Sequence, residues 1–157
     1  MKNIRIKRQN LTKSIELLCT KKVKIYDNEN ESYLVCGSGP VGDGTYDVTL
    51  DIGGYQSQTI YETWALVPVT PDENVFILRM EPLGVHLISF SSDPKEFPIL
   101  RAAKPDFASP VELKYNANNK TIITNAGSAS LYLSSAAKDE VVYFTPDVAT
   151  PWEIQYI

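Results

Sequence analysis

Apolar positions in this chain recur at every second residue in short runs, and the three-to-four spacing of an amphipathic helix is nearly absent. β-branched and aromatic runs alternate with clusters of Gly, Pro, Asn and Asp about every ten residues, the pattern of an all-β sandwich or barrel. It predicts leading strands over residues 4–7 and 14–18. Further strands are expected over 23–26, 33–36, 46–50, 63–67, 75–80, 85–90, 98–100, 111–115, 121–124, 131–134, 141–144 and 152–156. Polar or breaker-rich stretches at 27–31, 68–74 and 116–119 read as connections. The G-x-G-x-x-G spacing of Gly37, Gly39 and Gly42 is read as a hairpin loop. A strand, not a helix, is predicted after it, and Pro40 removes an amide that a phosphate loop would use.

The final residues 146–156 (PDVATPWEIQY) repeat residues 105–115 (PDFASPVELKY) almost letter for letter, which points to a structural unit used more than once. Three passes align on this basis. First strands carry Val23 and Ile25, Val75 and Ile77, then Thr121 and Ile123. Second strands carry Leu34, Leu87 and Leu133. Fourth strands carry Trp64 and Leu66, Val111 and Leu113, then Trp152 and Ile154. Each pair is two residues apart and shares one side of a pleated strand. One unit cannot bury such a face alone, whereas three around a common axis can.

This pattern resembles the β-trefoil, with three four-stranded pseudo-repeats at about 22–69, 70–116 and 117–157 and a large fourth-strand residue filling the barrel floor in each. Residues 1–21 form a short basic extension, expected to add strands, which a β-trefoil does not require. A β-sandwich or another β-barrel is the alternative fold. Trp64 and Trp152 fall at matching positions and are read as core. The ricin-type lectins place Gln two residues before the fourth-strand Trp, and here those positions hold Glu62, Ser109 and Thr150. The layout around 141–154 is similar to the mushroom β-trefoil protease inhibitors, a resemblance that implies one stiff exposed loop entering a protease cleft.

Composition narrows the function classes. A chain of 157 residues, 43% hydrophobic and 22% charged, suits a single soluble domain. No apolar run approaches the ~18 residues of a membrane helix, so no membrane partner is expected. No apolar stretch with a small-residue cleavage site follows the basic start, so a cytoplasmic protein, or one released without a signal peptide, is expected, with a virion as a further location. Cys19 and Cys36 read as thiols of a reducing compartment. Residues 1–24 carry eight Lys and Arg against Glu16, a net of +7, which leaves −11 for the rest of a chain totalling −4. The acidic body argues against nucleic acid as a partner.

Candidate chemistry is sparse. His86 is the only histidine and lies between Val85 and Leu87, so alternation turns it away from the core. One histidine and two distant cysteines do not make a structural zinc site, and no metal or other cofactor is expected. Asp72, Glu73, Glu81, Asp93, Glu96, Asp106 and Asp147 are read as turn or strand-end carboxylates, with Asp106 and Asp147 structural. The reading is therefore a non-enzymatic binding protein that recognises its partner through loops on a rigid barrel. A loop-mediated protease inhibitor leads, using Pro94, Lys95, Glu96, Phe97 and Pro98. Lys95 would enter the protease pocket and the prolines would limit ordering costs. A carbohydrate-binding lectin is one alternative. A structural assembly component, such as a virus or phage particle accessory protein whose first residues pair with a neighbouring subunit, is the other.

Overall fold

A computed structural model describes residues 20–36, 45–51, 62–69, 74–81, 83–88, 99–101, 108–115, 118, 120–136 and 141–157. Twelve strands run through them: β1 Lys21–Asp27, β2 Ser32–Cys36, β3 Thr45–Asp51, β4 Trp64–Pro68, β5 Val75–Met80 and β6 Val85–Ile88. β7 Ile99–Arg101, β8 Val111–Tyr115, β9 Thr121–Asn125, β10 Ser128–Ala136, β11 Val141–Thr145 and β12 Trp152–Tyr156 follow. Every strand expected between residues 23 and 156 is present. The two expected leading strands, the Cys19 thiol and the whole loop at Pro94–Pro98 lie outside the described residues.

Antiparallel pairing runs β1–β4–β5–β8–β9–β12 and returns to β1. This closed ring of six strands is a barrel, and closure removes the unpaired edges that an open sheet would leave. The other six strands form the hairpins β2–β3, β6–β7 and β10–β11, and β3 bridges to both β7 and β11. Residues 37–44, read as a hairpin loop, lie outside the described residues.

The apolar faces meet in one buried cluster. It holds Val23, Ile25, Leu34, Trp64, Leu66, Leu78, Met80, Leu87, Val111, Leu113, Ile123, Leu133 and Trp152, each 0–2% exposed. Two tryptophans in this cluster also satisfy backbone. The Trp64 indole Nε1 donates to the Leu34 carbonyl at 2.9 Å, and Trp152 Nε1 donates to the Leu133 carbonyl at 3.1 Å. At the matching place in the middle of the chain, Val111 has no donor, and the Leu87 carbonyl takes the Ser109 backbone N–H at 3.0 Å. The three leucines aligned in sequence therefore have their carbonyls satisfied by the segment entering β4, β8 or β12.

Two sequence expectations are corrected. In β5 the inward residues are Phe76, Leu78 and Met80, not Val75 and Ile77, because Phe76 pairs with Val111 where Val23 pairs with Trp64 and Thr121 with Trp152. The middle pass is one residue out of the sequence alignment, and a slip of one moves every side chain to the other face. Asp27 belongs to a strand and not to the polar turn: it ends the inward row of β1 and is fully buried. His86, which alternation turns away from the core, is nonetheless only 6% exposed. All four residues of β6 are buried, so this hairpin strand is covered on both faces and alternation no longer reports exposure.

Replacing Trp152 by Phe leaves the Leu133 carbonyl without its donor in the interior. Urea denaturation should show a loss of about 1–3 kcal/mol relative to the parent chain. Tyr132→Phe, at a half-buried position next to Leu133, should change stability much less.

Candidate functional site

The first and last described strands pair, β1 with β12, in the register Val23–Tyr156, Ile25–Ile154 and Asp27–Trp152. Beneath this junction the buried Asp27 organises a part-buried polar network. Its carboxylate accepts the Glu29 N–H at 3.0 Å, which is the local turn expected of Asp. It also accepts Asn30 Nδ2 and the Ser135 hydroxyl, each at 2.6 Å. The Ser135 N–H donates to Thr150 Oγ1 at 2.9 Å, and Thr150 is itself buried. The first turn, β10 and the segment leading into β12 are thereby held together. Asn125 lies at the matching end of β9 and makes a similar local turn, its Oδ1 accepting the Gly127 N–H at 2.9 Å.

The outward residues of the same three strands form a different surface. Alternation places Lys24 and Tyr26 on the outside of β1, opposite Gln155 and Glu153 of β12, with Tyr33 of β2 opposite Tyr26. The Tyr26 and Tyr33 rings are 4.8 Å apart at their centroids and tilted by 50°. Lys24 Nζ stands 5.6 Å from the Tyr33 ring centre, within cation–π range. The Tyr33 hydroxyl donates to Gln155 Oε1 at 3.4 Å, so this side chain spans β1. Lys24 also faces Glu62 Oε2 at 3.5 Å, and Glu62 is 1% exposed. Glu153 faces Lys120 at 3.9 Å. The result is a wall of two half-exposed tyrosines rimmed by an ammonium, an amide and a carboxylate, on the barrel strands β1 and β12 and the adjoining hairpin strand β2.

Burial raises the Tyr26 phenol above its ordinary pKa, and Glu31, Tyr33, Glu153 and Asp27 raise it further through their charges. Tyr26 therefore remains a neutral hydrogen-bond donor under conditions where a solvated tyrosine begins to ionise.

Several candidates from the sequence fall elsewhere. Pro94, Lys95, Glu96, Phe97 and Pro98 lie outside the described residues, as do Asp72, Glu73, Asp93 and Asp106. Glu81 accepts Arg79 Nε and Nη2, both at 3.1 Å, and serves its own strand end. Asp147 accepts the Thr145 hydroxyl at 3.3 Å and its N–H returns to that oxygen at 3.2 Å, a structural pairing. Among the described residues no group of three His, Cys, Asp or Glu side chains could hold a metal ion. The tyrosine wall was missed in sequence. Alternation gives the outward face of each strand, but only the β1–β12 register brings Tyr26 and Tyr33 beside residues more than a hundred positions away.

A six-stranded barrel with attached hairpins defines an all-β barrel protein. Its fold is shared with solved proteins of the β-trefoil type. A designed three-fold symmetric protein, ThreeFoil, superposes with a TM-score of 0.70 at 13% identity, covering 87% of this chain and 99% of its own. A salivary protein of Culex quiquefasciatus from the Cysteine and Tryptophan-Rich family gives 0.68 at 16% identity, with 88% and 94% covered. The Polyporus squamosus lectin, solved with the epitope Neu5Aca2-6Galb1-4GlcNAc, gives 0.67 at 12% identity, with 87% of this chain and 49% of the lectin covered. No protein-family model and no curated protein matches the sequence.

Alkaline titration followed by tyrosine absorbance should reveal phenols, Tyr26 and Tyr156, ionising later than a solvated tyrosine, and Tyr26→Phe should remove one of them. Folding raises the Tyr26 pKa, so its contribution is intact below pH 10, the ordinary tyrosine value, and is lost as pH rises through the folded value. Between those limits Tyr26→Phe should lose less stability than the parent chain. Equal losses would show that Tyr26 is solvated.

Proposed function

We propose that the chain is a β-trefoil of three four-stranded units, at about residues 22–69, 70–116 and 117–157, that binds carbohydrate and does not turn it over. Support for the three units comes from the matching leucine carbonyls and from the recurrence of β1–β4, β5–β8 and β9–β12 pairing. The sugar reading is carried by the Tyr26–Tyr33 pair. Aromatic faces accept the apolar C–H face of a pyranose, while hydroxyls of the same ring need polar partners placed at fixed positions. Lys24, Gln155 and Glu153 supply such partners. Because they stand on barrel strands, little ordering remains to be done on binding. A lectin among the proteins that share this fold adds weight of the same kind. The inhibitor reading depends on Pro94–Pro98, and no described feature favours it over the wall.

Glycan-array binding of the full chain tests this proposal. A defined set of glycans should bind, and Tyr33→Ala should weaken the best of them by roughly 30-fold, equivalent to about 2 kcal/mol. Tyr33→Phe should keep most of the affinity if ring stacking dominates. No bound glycan, or equal binding by Tyr33→Ala, would remove the carbohydrate reading.

A further inference from the structure

The barrel has one end away from its hairpins, where β4, β8 and β12 finish and β1, β5 and β9 begin. Tyr115 and Tyr156 end β8 and β12, and they are the last shared letter of the repeated eleven-residue motif. They follow the inward rows Val111–Leu113 and Trp152–Ile154, so their register places them at the mouth of the barrel. Their exposures are 61% and 59%, and Ile157 beside them is 72% exposed. The neighbouring Tyr115 phenol is the main cause that raises the Tyr156 pKa above its ordinary value. Two large exposed rings thus stand near one another at this end of the barrel.

Lysines stand at the same strand ends. The Ile157 N–H donates to the Lys22 carbonyl at 3.0 Å, which fixes the start of β1 against the C-terminal end. Lys21 and Lys22 are exposed there, and exposed Lys114 precedes Tyr115 on β8. None of these three lysines is paired with a carboxylate among the described residues. Three positive charges without a carboxylate partner among the described residues therefore stand at this end of a protein whose residues after 24 carry −11. Like charges repel one another, and an anionic partner relieves that repulsion while gaining Coulomb energy.

We propose that this mouth binds an acidic polysaccharide, with sugar rings against Tyr115 and Tyr156 and carboxylate or sulfate groups beside Lys21, Lys22 and Lys114. The ligand is a polymer with widely spaced charges. Lysine point charges at the same strand ends as a ring pair suit anionic groups separated by a sugar, and a bidentate fork would suit a single tightly held phosphate. The two phenol hydroxyls add donors and acceptors for sugar hydroxyls. Long duplex nucleic acid is disfavoured because the acidic body would repel its flanks. The choice of polymer rests on the carbohydrate reading, but this surface is separate from the Tyr26–Tyr33 wall.

The test is a titration of the full chain, by calorimetry, with dextran sulfate, polygalacturonate, neutral dextran and an oligothymidylate. Both acidic polysaccharides should bind, more weakly as salt is added, and neutral dextran should not. Lys22→Glu with Lys114→Glu should weaken binding about 10-fold or more by reversing two charges. Tyr115→Ser with Tyr156→Ser should weaken it comparably, and Tyr33→Ala should leave it unchanged. All these positions are exposed or half-exposed, and thermal melts check that the variants stay folded. Failure of both acidic polymers to bind, indifference to the mouth variants, or equally tight oligothymidylate binding would overturn the proposal. An empty glycan array alongside mouth-dependent dextran sulfate binding would sink the wall reading and leave the mouth standing. The converse result would sink only the mouth.

Discussion

Three backbone carbonyls, of Leu34, Leu87 and Leu133, set the terms of this structure. Each belongs to a fully buried residue in the first strand of a hairpin, where water cannot serve as its donor. A buried carbonyl without a partner costs free energy comparable to a lost hydrogen bond. Trp64 and Trp152 meet that demand with an indole that also fills the interior, so one side chain supplies both volume and a donor. Val111 fills the interior with no donor, and the chain compensates by bringing the Ser109 N–H to Leu87. The same constraint is met in two chemical ways, which is why the middle pass tolerates a valine where the others hold tryptophan.

The hairpins are consequently anchored to the barrel strands, and the surface above them inherits that rigidity. Asp27 extends this anchoring at the junction of β1 and β12. Its buried carboxylate gathers Glu29, Asn30 and Ser135 into one part-buried network. Such a network is stabilising only while every member is satisfied. Met80 stands at the matching end of β5, and a tight turn follows it in which Gly84 takes a φ of 63°, its N–H donating to the Met80 carbonyl at 3.0 Å. Asn125 stands at the third such place and makes a local turn like that of Asp27, so two of the three places are polar and one is apolar.

Much of this architecture was legible in the letters. Period-two alternation located all twelve described strands, and the repeated motif identified Trp152 and Val111 as equivalent core positions. The failures have a common physical origin. Val75 and Ile77 looked equivalent to Val23 and Ile25 because β5 is apolar on both faces, and only pairing with Val111 fixes which row points inward. Asp27 looked like a turn residue because polarity at a strand end is ambiguous without knowledge of what packs there. Alternation turned His86 away from the core but could not report its burial, because β6 is covered on both faces. The tyrosine wall was invisible for a related reason: Tyr26, Tyr33, Glu153 and Gln155 are unremarkable singly, and they become a surface only through a register between the first and last strands.

That register also explains the placement of a buried acid. Glu62 stands two residues before Trp64 and is 1% exposed, with Oε2 facing Lys24 and Oε1 making no hydrogen bond among the described residues. Burying a carboxylate in this incomplete state is costly, and an apolar residue of similar size would ordinarily be more stable. Thr150, at the matching position before Trp152, is buried too, but accepts the Ser135 N–H and leaves no charge behind. The difference between the two positions lies in what stands outside them. Beside Glu62 is Lys24, whose ammonium must stay over the Tyr33 ring for the wall to keep its polar rim. A fixed negative charge beneath a flexible lysine restricts where that ammonium can rest. Glu62 thus restrains the Lys24 ammonium beside the Tyr33 ring, and the cost of burying its carboxylate falls next to that surface.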